Sequence, residues 1–144
     1  MKLFDANVLI YAHREDQEHH AFYRTALESA INSGESFALS SLAAAGFVRN
    51  VTHPRFPNGP TPLAQALAVV DAFAALNHCH WVSPGARHWE LMSRLCRNCN
   101  CTGKQVADTQ HAAVAIEHAC EWITRDRDCL AFAPHGLSVS VLEP

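Results

Sequence analysis

Lys2-Leu3-Phe4-Asp5-Ala6-Asn7-Val8-Leu9-Ile10-Tyr11-Ala12 opens the chain with a short apolar run, an acidic junction and a second apolar run. The first run predicts a buried strand over residues 2–4, and Val8 to Ala12 begins a helical segment. The same grammar repeats downstream. His19 to Ser33 predicts a helix stopped at Ser33-Gly34, and Ser36 to Ser40 a strand leading into a helix capped by Ser40 or Ser41. That helix continues from Leu42 to Val51. Three prolines and a glycine make 53–60 a loop, and Thr61-Pro62 supplies an N-cap followed by a proline at the first helical position. Leu63, Leu67, Val70 and Ala74 then fall on one helix face. His78 to Ser83 alternates weakly, as a strand would. Ser83-Pro84 opens a further helix with Trp89, Met92, Cys96 and Cys99 on one face, and 100–104 reads as a loop. A helix from Thr109 to Ala119, opened by Asp108, a strand through Trp122 and an alternating strand from Leu137 to Leu142 complete the chain. Strands alternating with helices predict an α/β fold, a mainly parallel sheet flanked by helices on both faces. No repeat, linker or low-complexity tract divides it, so residues 1–144 read as one domain.

With 144 residues and 49% apolar composition, the chain is long enough to bury a substantial core. No apolar stretch approaches the roughly 20 residues that span a bilayer. Asp5 interrupts what would have to be the apolar region of a signal peptide, which argues against secretion and for a cytoplasmic protein. A formal charge of −3 speaks against a generally basic protein that coats nucleic acid. It leaves room for a basic rim around an acidic centre.

Three aspartates sit at expected element boundaries: Asp5 after the first strand, Asp108 at a helix start, and Asp126 just after the strand Glu121–Thr124. In an open parallel sheet, functional groups collect outside the carboxyl ends of the strands. Three carboxylates gathered there repel by roughly 3 kcal/mol per pair at ~5 Å and an effective dielectric near 20. Such a cluster persists if protons return or a hard cation enters, and it reads as a divalent-metal site. Plainer roles compete with this one. Asp5 suits an N-cap, Asp108 suits the positive end of a helix dipole, and Thr124-Arg125-Asp126-Arg127-Asp128 suits a solvated turn.

Several stretches, in order, resemble the PIN domain, and most closely the VapC toxins of bacterial toxin–antitoxin pairs. They are residues 3–10, Phe47-Val48-Arg49-Asn50-Val51-Thr52-His53-Pro54-Arg55-Phe56, Thr102-Gly103-Lys104-Gln105-Val106-Ala107-Asp108, the helix through 112–118 and residues 124–128. The resemblance implies an endoribonuclease dependent on Mg²⁺ or Mn²⁺, usually a homodimer, silenced by a cognate VapB-type antitoxin. It makes Asp5, Asp108 and Asp126 the metal-site carboxylates, with Asn7 and Thr124 as supporting polar groups and Asp128 as an outer carboxylate. The metal would acidify a water and offset charge on the scissile phosphate. A carboxylate would orient that water or take its proton. Arg125, Arg127, Lys104, Arg49 and Arg55 are candidates for holding RNA phosphates. Each of them taken singly is an ordinary surface cation, and Arg49 and Arg55 are alternatively antitoxin contacts.

One departure stands out. The family carries a glutamate just before the Phe-Val-Arg stretch, where this chain has Gly46, and no acidic residue lies between Glu35 and Asp71. Glycine inside a helix costs about 1 kcal/mol relative to alanine. The substitution disarms a toxic nuclease deliberately, or marks a natural loss that leaves an inactive binding protein, or is tolerated because three aspartates suffice. The first explanation is preferred because every other motif is intact, and it predicts weak or absent cleavage. The alternative function is a catalytically inactive PIN-like protein that binds antitoxin or RNA. A nuclease for DNA flaps is a third reading, opposed by the absence of a second domain to bend a duplex.

Cys96, Cys99 and Cys101 lack the second paired cluster of a structural zinc site, and core packing is the better reading for Cys96 and Cys99. The His19-His20 and His78-x-His80 pairs carry no assignment.

Overall fold

The computed structural model describes all residues 1–144. The elements run β1 (Lys2–Phe4), α1 (Ala6–His13), α2 (His20–Asn32), β2 (Phe37–Ser40), α3 (Ser41–Val51) and α4 (Leu63–Ala74). They continue as β3 (Cys79–Val82), α5 (His88–Cys99), α6 (Lys104–Glu117), β4 (Glu121–Thr124), a 3₁₀ helix (Arg127–His135) and β5 (Ser138–Val141). The five strands form one sheet in the order β3-β2-β1-β4-β5, and every pairing is parallel. The expected mainly parallel sheet is therefore wholly parallel.

Strand alternation assigns the two faces. Phe4, Phe37, Leu39 and Ile123 pack with Val8, Leu9, Tyr23, Leu27, Phe47 and Val51, so α1 to α4 cover one side. Leu3, Ala38 and Trp122, one row across the paired strands, pack with Leu95, Ala112, Val114, Ala115 and Phe132 on the other. Ala112 to Ala115 are all buried, and Ala113 faces Leu91 and Met92 of α5. Helix α6 is thus sandwiched between the sheet and α5, which explains why it is apolar all round its middle turn.

Strand β1 is central. The chain leaves it towards β2 and β3 on one side and returns to β4 and β5 on the other. This reversal opens a crevice between the carboxyl ends of β1 and β4, the place where open α/β sheets bind their ligands.

Several boundaries differ from expectation. Helix α6 begins at Lys104, so Asp108 lies in its second turn and not at its start. Gly103 makes this possible: at φ +58 and ψ −125 it breaks the chain direction, and its carbonyl already accepts from Val106 N–H at 3.0 Å. Helix α5 starts at His88 and not at Ser83-Pro84, because the Glu117 carboxylate accepts from the Gly85 and Arg87 N–H groups at 2.8 and 2.9 Å and holds that segment as a turn. Trp89 is 72% exposed, off the buried stripe of Leu91, Met92 and Leu95. Leu63 and Leu67 of α4 are likewise exposed, and the helix packs inward through Ala66 with the half-buried Val69, Val70 and Phe73. Pro62 itself is the N-cap of α4. Ser40 caps α3, accepting from Leu42 N–H at 3.1 Å. The 3₁₀ helix was not expected.

Candidate active site

Asp5 occupies the N-cap position of α1, yet its carboxylate makes no capping hydrogen bond. Instead Asp5 Oδ2 accepts from Thr124 Oγ1 at 2.7 Å. Thr124 is the last residue of β4 and fully buried. Its hydroxyl also accepts from the Asp126 backbone N–H at 3.0 Å and from Asn7 Nδ2 at 3.2 Å, while Asn7 Oδ1 accepts from Arg125 N–H at 3.4 Å. One hydroxyl therefore ties the ends of β1 and β4 together and turns the Asp5 carboxylate away from its cap role. Asp126 Oδ1 accepts from Asp128 N–H at 2.9 Å, opening the 3₁₀ helix.

Helix α6 supplies the facing wall. Lys104, Asp108 and His111, spaced i, i+4 and i+7, lie on one face and line a cleft of about 270 Å³ with Asp5, Asn7, Asn50, Asp126 and Cys129. The three aspartates expected at the site thus share one cleft. A larger hollow of about 430 Å³ lies near Met1, Lys2, Ser33 and Glu35, at the amino ends of the strands. It holds no comparable convergence of side chains, and the chemistry points to the smaller cleft.

The cleft's electrostatics follow from crowding acids against an apolar sheet end. Burial raises the pKa of Asp5, and the Thr124 hydroxyl opposes that rise. Burial also raises Asp108, with Lys104 opposing and the Asp126 and Asp5 carboxylates adding to it. Lys104 places its ammonium 3.5 Å from Asp126 Oδ2, and its pKa rises through Asp126 first and Asp108 second. Cys129 registers the same field: burial, then Asp5, Asp126 and Asp108, push its thiol up to about 12. His111 is lowered by burial, against the pull of Asp5 and Asp108.

No three carboxylate, imidazole or thiol groups of the chain are gathered closely enough to form a ready metal-ligand set. The expected convergence is accordingly a shared cleft, not a closed cage. Mutual repulsion spreads like charges, and Lys104 offsets part of the charge at Asp126. The donor chemistry nonetheless fits a hard divalent cation, because three carboxylates, the Asn7 and Asn50 amides and room for water are what Mg²⁺ or Mn²⁺ takes.

The other candidates are scattered. Arg125 lies over the Tyr11 ring at 3.6 Å, 5.3 Å from that of Tyr23, and its Nε donates to the Tyr23 hydroxyl at 3.3 Å. It fastens β4 to α1 and α2 and does not line the cleft. Arg127 is taken by Glu143, with both carboxylate oxygens at 2.8 Å from Nη1. Asp128 is exposed and outside the cleft lining. Arg49 and Arg55 are exposed, and Gly46 lies beside Arg49 in a neighbouring hollow. Sequence reading missed His111, Asn50 and Cys129. His111 was findable, since it stands three residues after Asp108 on one helix face. Asn50, whose amide donates to the Gly46 carbonyl at 2.7 Å, and Cys129 arrive from elements remote in sequence.

Residues 2–133, a span that contains all three aspartates, match the family model described as "PIN domain". The chain belongs to the PIN domain family. Among named members it is 38% identical over 132 residues to VapC ribonuclease Mb2897 of Mycobacterium bovis, covering 92% of this chain and 90% of that protein. It is 36% identical over 133 residues to ribonuclease VapC31 of Mycobacterium tuberculosis, covering 92% and 94%. In fold, this PIN domain is similar to VapBC2 from Rickettsia felis, whose structure is bound to a promoter DNA fragment. The TM-score is 0.68 with 16% identity, covering 99% of this chain and 98% of that one. VapC20 of Mycobacterium tuberculosis, described as a toxin that cleaves the sarcin-ricin loop, gives a TM-score of 0.66 at 11% identity, with both chains covered in full.

Proposed function

We propose that this PIN domain is a metal-dependent endoribonuclease, the toxin of a VapBC pair, acting in the cytoplasm and held inactive by a VapB-type antitoxin. The observation that carries the reading is the shared cleft: Asp5 just after β1, Asp108 in α6 and Asp126 just after β4, at the carboxyl ends of a parallel sheet, in a chain 38% identical to a named VapC ribonuclease. A homodimer belongs to the same reading.

Asp5, Asp108 and Asp126 would hold Mg²⁺ or Mn²⁺, which supplies acidity to a bound water and offsets phosphate charge. The remaining work falls to the chain. Thr124 fixes the rotamer of Asp5 and is itself braced by Asn7. Lys104, exposed at the rim, exchanges its contact with Asp126 for a charge-assisted bond to a phosphate oxygen. Arg49 adds a second cation on the α3 side. Asp108, whose pKa burial already raises, is suited to orient the attacking water or accept its proton. Gly46 leaves the site one carboxylate short, so metal is held weakly and cleavage is slow at limiting metal.

Cleavage of total RNA, followed against Mn²⁺ and Mg²⁺ concentration, tests this. The unaltered chain should cut at saturating Mn²⁺, and Asp5→Asn should lose at least ~100-fold, in the range of removing one transition-state electrostatic contact. Gly46→Glu should cut at lower Mn²⁺ than the unaltered chain does. A second reading, a PIN domain that binds RNA or antitoxin without cutting, is favoured by the absence of a ready ligand set. Silence of both the unaltered and Gly46→Glu chains at saturating metal, with folding verified, would establish it.

A further inference from the structure

Gly46 faces no requirement that the backbone imposes. It lies inside α3, and a Cβ built on it would meet only the Ala6 Cβ, at an ordinary 3.5 Å. A side chain would fit, and its absence costs helix stability. Gly46 lines a hollow of about 370 Å³ between α3 and α6. Ala45 and Ala107 give it apolar walls, Gln110 an exposed amide, and Arg49 an exposed guanidinium.

His111 lines both this hollow and the aspartate cleft, so the two are adjoining compartments of one surface. Its ring is stacked on the buried Trp122 with centroids 5.5 Å apart and planes 23° apart, which holds it in place. Its Nδ1 is buried without a hydrogen-bond partner in the chain. A buried unpaired ring nitrogen is costly.

We propose that the hollow beside Gly46 seats the base and ribose of a nucleotide next to the scissile phosphate. Volumes from about 300 Å³ upwards hold small organic ligands. Alanine walls take a base, Gln110 reads its edge, and Arg49 takes the following phosphate, much as single-stranded RNA is bound through exposed bases and charged neighbours. The inference rests on the ribonuclease reading. It gives Gly46 a positive role: the residue is small so that a nucleotide fits, and position 46 determines specificity.

The test uses the full chain and mixed-sequence single-stranded RNA at saturating Mn²⁺, with cut sites mapped by sequencing and Mn²⁺ affinity measured separately. Gly46→Leu fills the hollow. It should lower kcat/KM on the preferred sequence about tenfold, the worth of one lost base contact, and flatten the base preference at one flanking position. Mn²⁺ affinity should stay unchanged. Gln110→Ala, at an exposed position that leaves packing intact, should change which base is preferred at that same position. Unchanged preference and rate in Gly46→Leu and Gln110→Ala would overturn the subsite while leaving the ribonuclease intact. No cleavage by any form would overturn both.

Discussion

At Thr124 a single hydroxyl donates to Asp5 at 2.7 Å and accepts from Asp126 N–H and Asn7, all in a fully buried position. Thr124→Val keeps the shape and removes every one of these bonds. It should cost about 1–3 kcal/mol in urea unfolding, the usual penalty for stranding buried polar groups, whereas Thr124→Ser should recover most of it. Asp5 makes a pH-dependent prediction. Its folded pKa is raised, chiefly by burial, so the folded chain binds this proton more tightly than the unfolded one. Stability contributed by the protonated form is therefore lost as pH rises from the unfolded value, about 3.9, through the folded one. In metal-free buffer Asp5→Asn should raise the Tm at neutral pH. The gain should vanish below about pH 3.9, where both side chains are neutral. A Tm difference that grew on acidification would refute the assigned shift. The sequence offered Asn7 and Thr124 only as supporting polar groups, through the family resemblance, and left Asp5 equally readable as an N-cap. Burial and the reach of Thr124 across the sheet made the difference.

The elements explain which cations serve the cleft. Arg125 follows β4 directly, and by sequence it belongs to the functional edge. Its guanidinium folds back over Tyr11 of α1 and beside Tyr23 of α2, stitching two helices to the sheet. Arg125→Ala should lower stability by about 1 kcal/mol, the worth of a partly buried cation–π contact. The slope of RNA affinity against salt should not change, because no phosphate contact is lost. A shallower salt slope would restore Arg125 to the RNA surface. Helix α6 shows the opposite case, in which a boundary error hid a real face. Expecting the helix at Asp108 leaves Lys104 in a loop. Starting it after Gly103 aligns Lys104, Asp108 and His111 along one wall.

For the whole molecule, the sheet order places the reversal at β1 and β4, and that reversal brings together acids 121 residues apart in the chain, Asp5 and Asp126. Because the unfolded chain has no such cleft, Mn²⁺ should stabilise the fold in proportion to the logarithm of its concentration, by about 2.7 kcal/mol at a hundredfold excess over Kd, and the Tm should rise with it. The Asp5→Asn chain should show little of that rise, and an equal rise in both would place the ion elsewhere. The sequence by itself determined the strand-and-helix alternation, the parallel sheet and the three boundary aspartates, because hydrophobic period and acidic junctions are local properties of the chain, and its ordered motifs carried the family resemblance. Only the tertiary structure decided that Arg125 and Arg127 are engaged elsewhere, that His111 and Asn50 enter the cleft, and that Gly46 lines a hollow beside it. Those facts depend on which side chains reach one another across elements far apart in sequence, and on how much space is left between α3 and α6. No periodicity along the chain encodes that distance.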